Sequence, residues 1–410
     1  IYTDRGREQN SKVDLAFGRN SSFAANVHIS KIGARTTKPD GTSVELKKGD
    51  VFEREIIKGD GIKIKAKSFV VPGIETGSVV EYRWNETRDD ALSFFVRLQL
   101  ARSVPVRMVK YYLKPVDAPY FELGMRIQTF NTNSTLVKES NGFYSMTFEN
   151  VESYREEPKM PPEYNVRPWL LVYYEYEEQD TGLSPAEYWG NRAKNTHKNH
   201  KSIFKPKKKI KLAAAEAIGE ATDPLEKIRR IFTYCRSKIT NMDDDALGLT
   251  TKQRSKIKAN KTEADTLKRG QGTSRDINHL FAALLSSIGL DVRIANLTRR
   301  TNPSFNKKLL NDYLILSEAV AVKVGEKWHY FEPGSQHLPF GMLHWSKEGQ
   351  LALISGKGEP VWEETPRSTP DQSMRKRTMR FKVDGQGTIE GTVRIENSGH
   401  YASVMKENLD

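Results

Sequence analysis

Between residues 277 and 288 the apolar side chains recur every three or four positions, at Ile277, Leu280, Phe281, Leu284, Leu285 and Ile288. That spacing predicts an amphipathic helix with one buried stripe. Gly272 stands before it, and Gly289 supplies a C-terminal stop. A second stripe runs through Leu225, Ile228, Ile231, Phe232, Cys235 and Ile239. It follows Asp223-Pro-Leu-Glu226, a capping-box sequence with proline at the first helical position. Ser184-Pro-Ala-Glu187 announces a further helix by the same device. Elsewhere short strand-like stretches recur between turn signals. They lie at 43–46 after Pro39-Asp-Gly41, 62–71 after Gly59-Asp-Gly61, 78–84 after Gly77, 106–113, 135–139, 142–148 after Asn141-Gly142, and 169–174. Such a succession suggests a β-sandwich. Strands are expected again at 292–296, 314–324 and 328–331. A hairpin is expected at 379–383 and 388–395, around Asp384-Gly-Gln-Gly387.

These elements predict a multidomain chain. An all-β, sandwich-like domain covers 1–178, an α+β domain covers 179–365, and a C-terminal β domain begins at 366–410. Three parts suit 410 residues. With 37% apolar residues, 17 Phe, 16 Tyr and 6 Trp, a wholly disordered chain is excluded. No uncharged apolar run approaches the roughly 20 residues of a membrane-spanning helix, so membrane association is expected only through segments outside this sequence. The chain begins at Ile1 with no leader of its own, and a processed N-terminus is expected.

Charge is unevenly spread. Of the net +13, nearly all comes from residues 191–270, which hold 21 Lys and Arg against 9 Asp and Glu. At its centre is Lys205-Pro-Lys-Lys-Lys-Ile-Lys211, where contact with a polyanion is conceivable. The bland reading, a solvated linker and helix face, is the stronger one. The patch has no interleaved aromatic residues and no nucleic-acid motif, so no specific nucleic acid is expected. The single cysteine, Cys235, excludes an intramolecular disulfide and falls on the buried stripe, where an inert core thiol is expected. Gly270-Gln-Gly272 lacks the further glycine or lysine of a nucleotide site. His197 and His200 have no neighbouring carboxylate, so neither cofactor nor metal is expected.

One constellation stands apart. Ser274 opens the clearest helix between Gly272 and Asp276, where the helix N-terminus favours an anion or a developing oxyanion. The stretch Gly272-Thr-Ser-Arg-Asp276 through Leu285-Ser-Ser-Ile-Gly289 resembles the signature of the transglutaminase-like superfamily, whose fold is related to papain: Gly-x-Cys-x-Asp, an apolar helix and a closing glycine turn. Asn311-Asp-Tyr-Leu-Ile315 resembles its aromatic-Asn-His strand, and Trp328-His-Tyr-Phe-Glu-Pro333 the strand that ends in Asp-Pro. Val71-Pro-Gly-Ile-Glu-Thr-Gly77, Val80-Glu-Tyr82 and Met160-Pro-Pro162 are similar to the β domain that precedes transglutaminase-like domains in bacterial envelope proteins.

On this resemblance the Cys-His-Asp positions hold Ser274, Tyr313 (Asp312 if the alignment slips by one) and Glu332. A serine hydroxyl needs a strong base. A tyrosine hydroxyl, which ordinarily titrates at about pH 10, cannot replace imidazole. His279, five residues along the helix from Ser274, and His329, on the face of its strand opposite Glu332, are not expected to substitute. The expectation is therefore a catalytically inactive module that binds or scaffolds a peptide, protein or envelope glycan. Trp328 and Asp276 are candidate binding residues. The resemblance implies a periplasmic, extracellular or cell-envelope setting. The alternative is an active amide hydrolase or acyl transferase with Ser274 as nucleophile.

Overall fold

The computed structural model describes residues 1–20, 25–59, 62–88, 95–116, 123–176 and 182–407. The chain forms two compact units. The first comprises Ile1–Ala101, Val106–Val151 and Trp169–Tyr176, and the second Arg102–Pro105, Glu152–Pro168 and Glu177–Asp410.

After a short capped helix α1 (Asp4–Asn10), the first unit is built from strands, as its sequence leads one to expect. One sheet takes the order β3-β2-β1-β5-β4, with β6 beside β2: β1 is Lys12–Asn20, β2 Ala25–Thr37, β3 Ser43–Glu45, β4 Phe52–Gly59, β5 Ile62–Val70 and β6 Val79–Arg88. Two three-stranded sheets follow. β7 (Phe95–Gln99) and β9 (Leu123–Phe130) flank β12 (Trp169–Tyr176), while β8 (Val106–Leu113) and β10 (Val137–Lys138) flank β11 (Tyr144–Val151). In β1, Val13, Leu15 and Phe17 alternate onto one face, where they pack with Ile29, Phe69 and Val71. The Asp60-Gly61 part of the second turn signal lies outside the described residues.

The second unit is helical first and β afterwards, as predicted. Ser184 caps α2 (Pro185–Asn199) with the full reciprocal box. Asp223 caps α4 (Pro224–Lys238) through its carboxylate. There Glu226 departs from the box and accepts from Arg230 Nε at 2.9 Å. Between them, the lysine-rich stretch, read as a solvated linker and helix face, runs into α3 (Lys208–Ile218). Ile210, Ala213 and Ala214 of it are buried, and Ala217 and Ile218 pack half-buried against the same core. A two-residue strand, β13 (Thr240–Asn241), runs parallel to β14 (Gln271–Gly272), with α5 (Glu263–Arg269) between them in sequence. Helix α6 (Ser274–Ser287) then carries the predicted stripe.

The sheet that follows has the order β17-β16-β15-β18-β19 and is antiparallel throughout. Its strands are β15 Asp291–Leu297, β16 Ser317–Val324, β17 Lys327–Phe331, β18 Leu351–Ile354 and β19 Val361–Glu364. Val320, Val322 and Phe331 on one face join Ile277, Leu280, Phe281 and Leu284 of α6 in the main core. Ala319, Ala321 and Tyr330 on the other face pack with Leu297 and Leu343. This alternation decides which side chains of β16 reach the helix. The described chain ends with the predicted hairpin, β20 (Arg375–Val383) and β21 (Ile389–Asn397), and helix α7 (Gly399–Glu407). No helix of the described residues is long and apolar enough to cross a membrane.

Candidate functional site: a cleft at the start of helix α6

The first turn of α6 is held by a complete capping box. The Thr273 hydroxyl accepts the Asp276 N–H at 3.1 Å, and the Asp276 carboxylate accepts the Thr273 N–H at 3.0 Å. Asp276 also takes a bond from Asn260 Nδ2 at 3.3 Å. The side chain expected to bind a ligand is thus occupied in holding the helix start. Beside it opens a cleft of about 420 Å³ whose lining includes Ser274, Arg275, His279, Glu318, Glu332 and Lys347.

Ser274 is tethered from two directions, by Asn241 of β13 and by Asp243 just after it. Its N–H donates to Asp243 Oδ2 at 2.7 Å. Its hydroxyl lies 3.1 Å from Asn241 Nδ2 and 3.4 Å from Asn241 Oδ1. The same amide donates to the Gly334 carbonyl at 2.9 Å, and the Gly334 N–H donates to Asn278 Oδ1 at 2.8 Å. Gly334 packs so closely that a Cβ there would sit 2.2 Å from the Ser274 carbonyl oxygen. Among the described residues, no histidine, lysine or carboxylate bonds the Ser274 hydroxyl.

Glu332 follows β17 and is 3% exposed. Its carboxylate pairs with the Lys347 ammonium and accepts the His344 N–H at 3.1 Å. Lys347 also donates to the Glu318 carbonyl at 2.9 Å. Two of the three triad-equivalent positions therefore do reach the cleft, with Glu332 in a buried ion pair.

The third does not. Tyr313 lies in a turn of 3-10 helix, Asp312–Leu314, where Asn311 Oδ1 accepts its N–H at 2.8 Å. It is absent from the cleft lining. Asp312, the alternative, pairs with Arg192. The Asn311 cap ends the strand predicted from 314, and β16 begins only at Ser317. Alternation along β16 then turns Glu318, with Val320 and Val322, toward α6. Glu318 is thereby a charged strand residue at the cleft, a position that motif reading missed.

Around Glu318 the charges are dense. Arg275 grips both its oxygens at 3.0 Å, His279 Nε2 lies 3.5 Å away and His200 Nε2 4.0 Å away. Burial opposes its ionisation. The bonds and charges of His279, Arg275 and His200 outweigh that, holding its carboxyl at about 2. Burial pushes His200 below the ordinary histidine range. His279 therefore shares a cleft with Ser274 although helix position alone set it aside.

The remaining candidates lie elsewhere. Trp328 packs against the Tyr330 side of the sheet, outside the cleft. His329 is likewise outside it. Cys235 is fully buried, and burial raises its thiol far above the ordinary range. Lys205, Lys207, Lys208, Lys209 and Lys211 are exposed, and among the described residues none forms an ion pair.

No curated protein matches the chain. Among solved structures, one described as a "putative protease" from Parabacteroides distasonis ATCC 8503 is 12% identical, with 99% of this chain and 90% of that one covered and a TM-score of 0.48. A "putative cysteine protease" from Cytophaga hutchinsonii is 10% identical, covering 74% of this chain and 88% of that one, with a TM-score of 0.27. A structure described as a TGase is 10% identical over 57% of this chain and 55% of that one, with a TM-score of 0.21. Residues 212–333, from within α3 to just past Glu332, match the family model of the transglutaminase-like superfamily, and the chain therefore carries a transglutaminase-like domain with Ser274 at the start of its central helix.

Proposed function

We propose that the transglutaminase-like domain is a non-catalytic binding module that takes a peptide or protein segment in the cleft beside Ser274. The observation that carries this reading is the Asn241 amide on the Ser274 hydroxyl. An amide does not accept a proton at neutral pH, and an unassisted serine is a poor nucleophile. Two further features agree. The Ser274 N–H, a donor that a developing oxyanion would need, is taken by Asp243. Glu332, at the third triad-equivalent position, is engaged by Lys347 and has no imidazole to orient. Arg275 and Arg299 beside Glu318 offer both signs of charge at the cleft. That suits a peptide with charged ends better than a neutral glycan. The resemblance of the preceding β unit to those of envelope proteins supports an envelope or extracellular setting.

The test is labelling of the full chain with a broad fluorophosphonate probe, with Ser274→Ala as control. The expected result is no labelling of either protein. Labelling that disappears with Ser274→Ala would overturn the reading and favour an amide hydrolase or acyl transferase.

A second contact is proposed at residues 205–211. Helix α3 starts there without a side-chain cap, and its positive end is surrounded by unpaired lysines. Retention on heparin should fall steeply with salt, since ion release dominates such binding. Retention that does not change with salt would remove the proposal.

A further inference from the structure

From the sequence alone, His200 had no carboxylate neighbour and no third ligand. The fold supplies both. His200 ends α2, His279 comes from the second turn of α6, and Glu318 comes from the cleft-facing side of β16. One donor atom from each lies within 4.8 Å of the others, with the two imidazole rings 4.9 Å apart and nearly perpendicular.

Tautomer chemistry adds a constraint. His200 Nδ1 lies 2.8 Å from the Thr196 carbonyl oxygen, and a carbonyl can only accept. The proton of neutral His200 is therefore on Nδ1, and Nε2 presents a lone pair toward the Glu318 carboxylate, itself an acceptor. An Nδ1–H fixed on a backbone carbonyl is how proteins orient a metal-binding imidazole. His279 Nε2 is buried and faces Glu318 Oε2 at 3.5 Å, beyond an ordinary hydrogen-bond distance. Two nitrogens thus converge on one carboxylate, and the nearby cation is Arg275, whose side chain is 63% exposed.

We propose that His200, His279 and Glu318 form a binding site for a divalent first-row transition ion, best matched by Zn²⁺. Two imidazoles and a carboxylate are a zinc donor set. Tetrahedral bonds of about 2 Å place donors about 3.3 Å apart. The His279–Glu318 separation of 3.5 Å is already near that, and the remaining donors close by rotamer adjustment. On binding, Arg275 releases the carboxylate and swings to solvent. Three protein ligands leave the fourth position to water on the cleft side, as in zinc sites that act on a ligand rather than only staple a fold. The site does not depend on whether the cleft binds peptides.

The full chain, freed of any histidine tag and stripped with chelator, is titrated with Zn²⁺ against a chromophoric chelator. The expected result is one equivalent bound, with His200→Ala and His279→Ala each weakening affinity by at least about tenfold. That is the scale already produced by losing an outer partner of a ligand. Arg275→Ala, at an exposed position, should tighten binding several-fold by removing a competitor for the carboxylate. Absence of binding, or affinity unchanged in both histidine variants, would overturn the site. If the alanine variants do not fold, Arg275→Ala decides: tighter binding supports the proposal, and unchanged or weaker binding refutes it.

Discussion

The cleft has two carboxylates, and they are held in opposite ways. Glu332 is 3% exposed and faces Lys347, itself buried, in a dry pair that also anchors the Glu318 backbone. Glu318 keeps a quarter of its side chain exposed and is surrounded by two imidazoles and a guanidinium that reaches in from solvent. A buried pair is costly to open because each charge, left alone, stays out of water without its counterion. An exposed pair exchanges readily with water and ions. One wall of the cleft is therefore fixed scaffold, and the other is able to trade partners. A catalytic reading of the triad-equivalent positions looks to Ser274 and Glu332, whereas the geometry reserves exchange for the Glu318 side.

The sharpest way to break this comparison is to cut the dry pair. Lys347→Met leaves the buried Glu332 charge without its counterion and should cost about 3–5 kcal/mol in denaturant unfolding. Adding Glu332→Leu should restore much of that loss, because an apolar pair of similar volume avoids the desolvation cost. Gly334→Ala tests the same wall through its backbone. A methyl group there collides with the Ser274 carbonyl, and a loss of about 1–3 kcal/mol is expected. On the other wall, Glu318→Gln should cost only about 1–2 kcal/mol in the same assay, the scale of charge-assisted hydrogen bonds lost at a partly solvated site. Arg275→Ala should change stability least, by under about 1 kcal/mol. Equal losses for Lys347→Met and Glu318→Gln would erase the distinction between the walls.

The order of helices and strands was legible because it rests on local patterns. The 277–288 stripe, the Ser184 box and the Asp384 hairpin each carry their own signal within a dozen residues. Ser274 and Glu332 were legible for a related reason, since each sits at the edge of a strongly patterned element. Glu318 was not. It depends on where β16 starts, and a single Asn311 cap moves that start past Tyr313. The partners of these residues were further out of reach. Asn241 meets Ser274 across 33 residues, and Lys347 meets Glu332 across 15. Such meetings follow from the way strands and helices stack. Helix α3 was given no bounds although Ile210, Ala213, Ala214, Ala217 and Ile218 recur every three or four positions, because three of these five are alanines and the exposed face is lysine-rich.

The arm formed by residues 240–243 covers both reactive groups of Ser274, and it is held by hydrogen bonds with none of its side chains in the hydrophobic core. Beyond the short pairing of β13 with β14, Thr240 N–H donates to the Gly270 carbonyl and Met242 N–H to the Gly272 carbonyl, both at 2.8 Å, with Arg254 reaching the carbonyls of Met242 and Asp244. Asp243 itself is exposed. Regions with few buried apolar contacts open at a lower free energy than the fold as a whole. Amide hydrogens of Met242 and Ser274 should therefore exchange with deuterium through this local opening, while those of Leu280, Phe281 and Leu284 wait for global unfolding. The arm behaves as a latch, and its opening equilibrium sets how often the start of α6 stands bare to solvent.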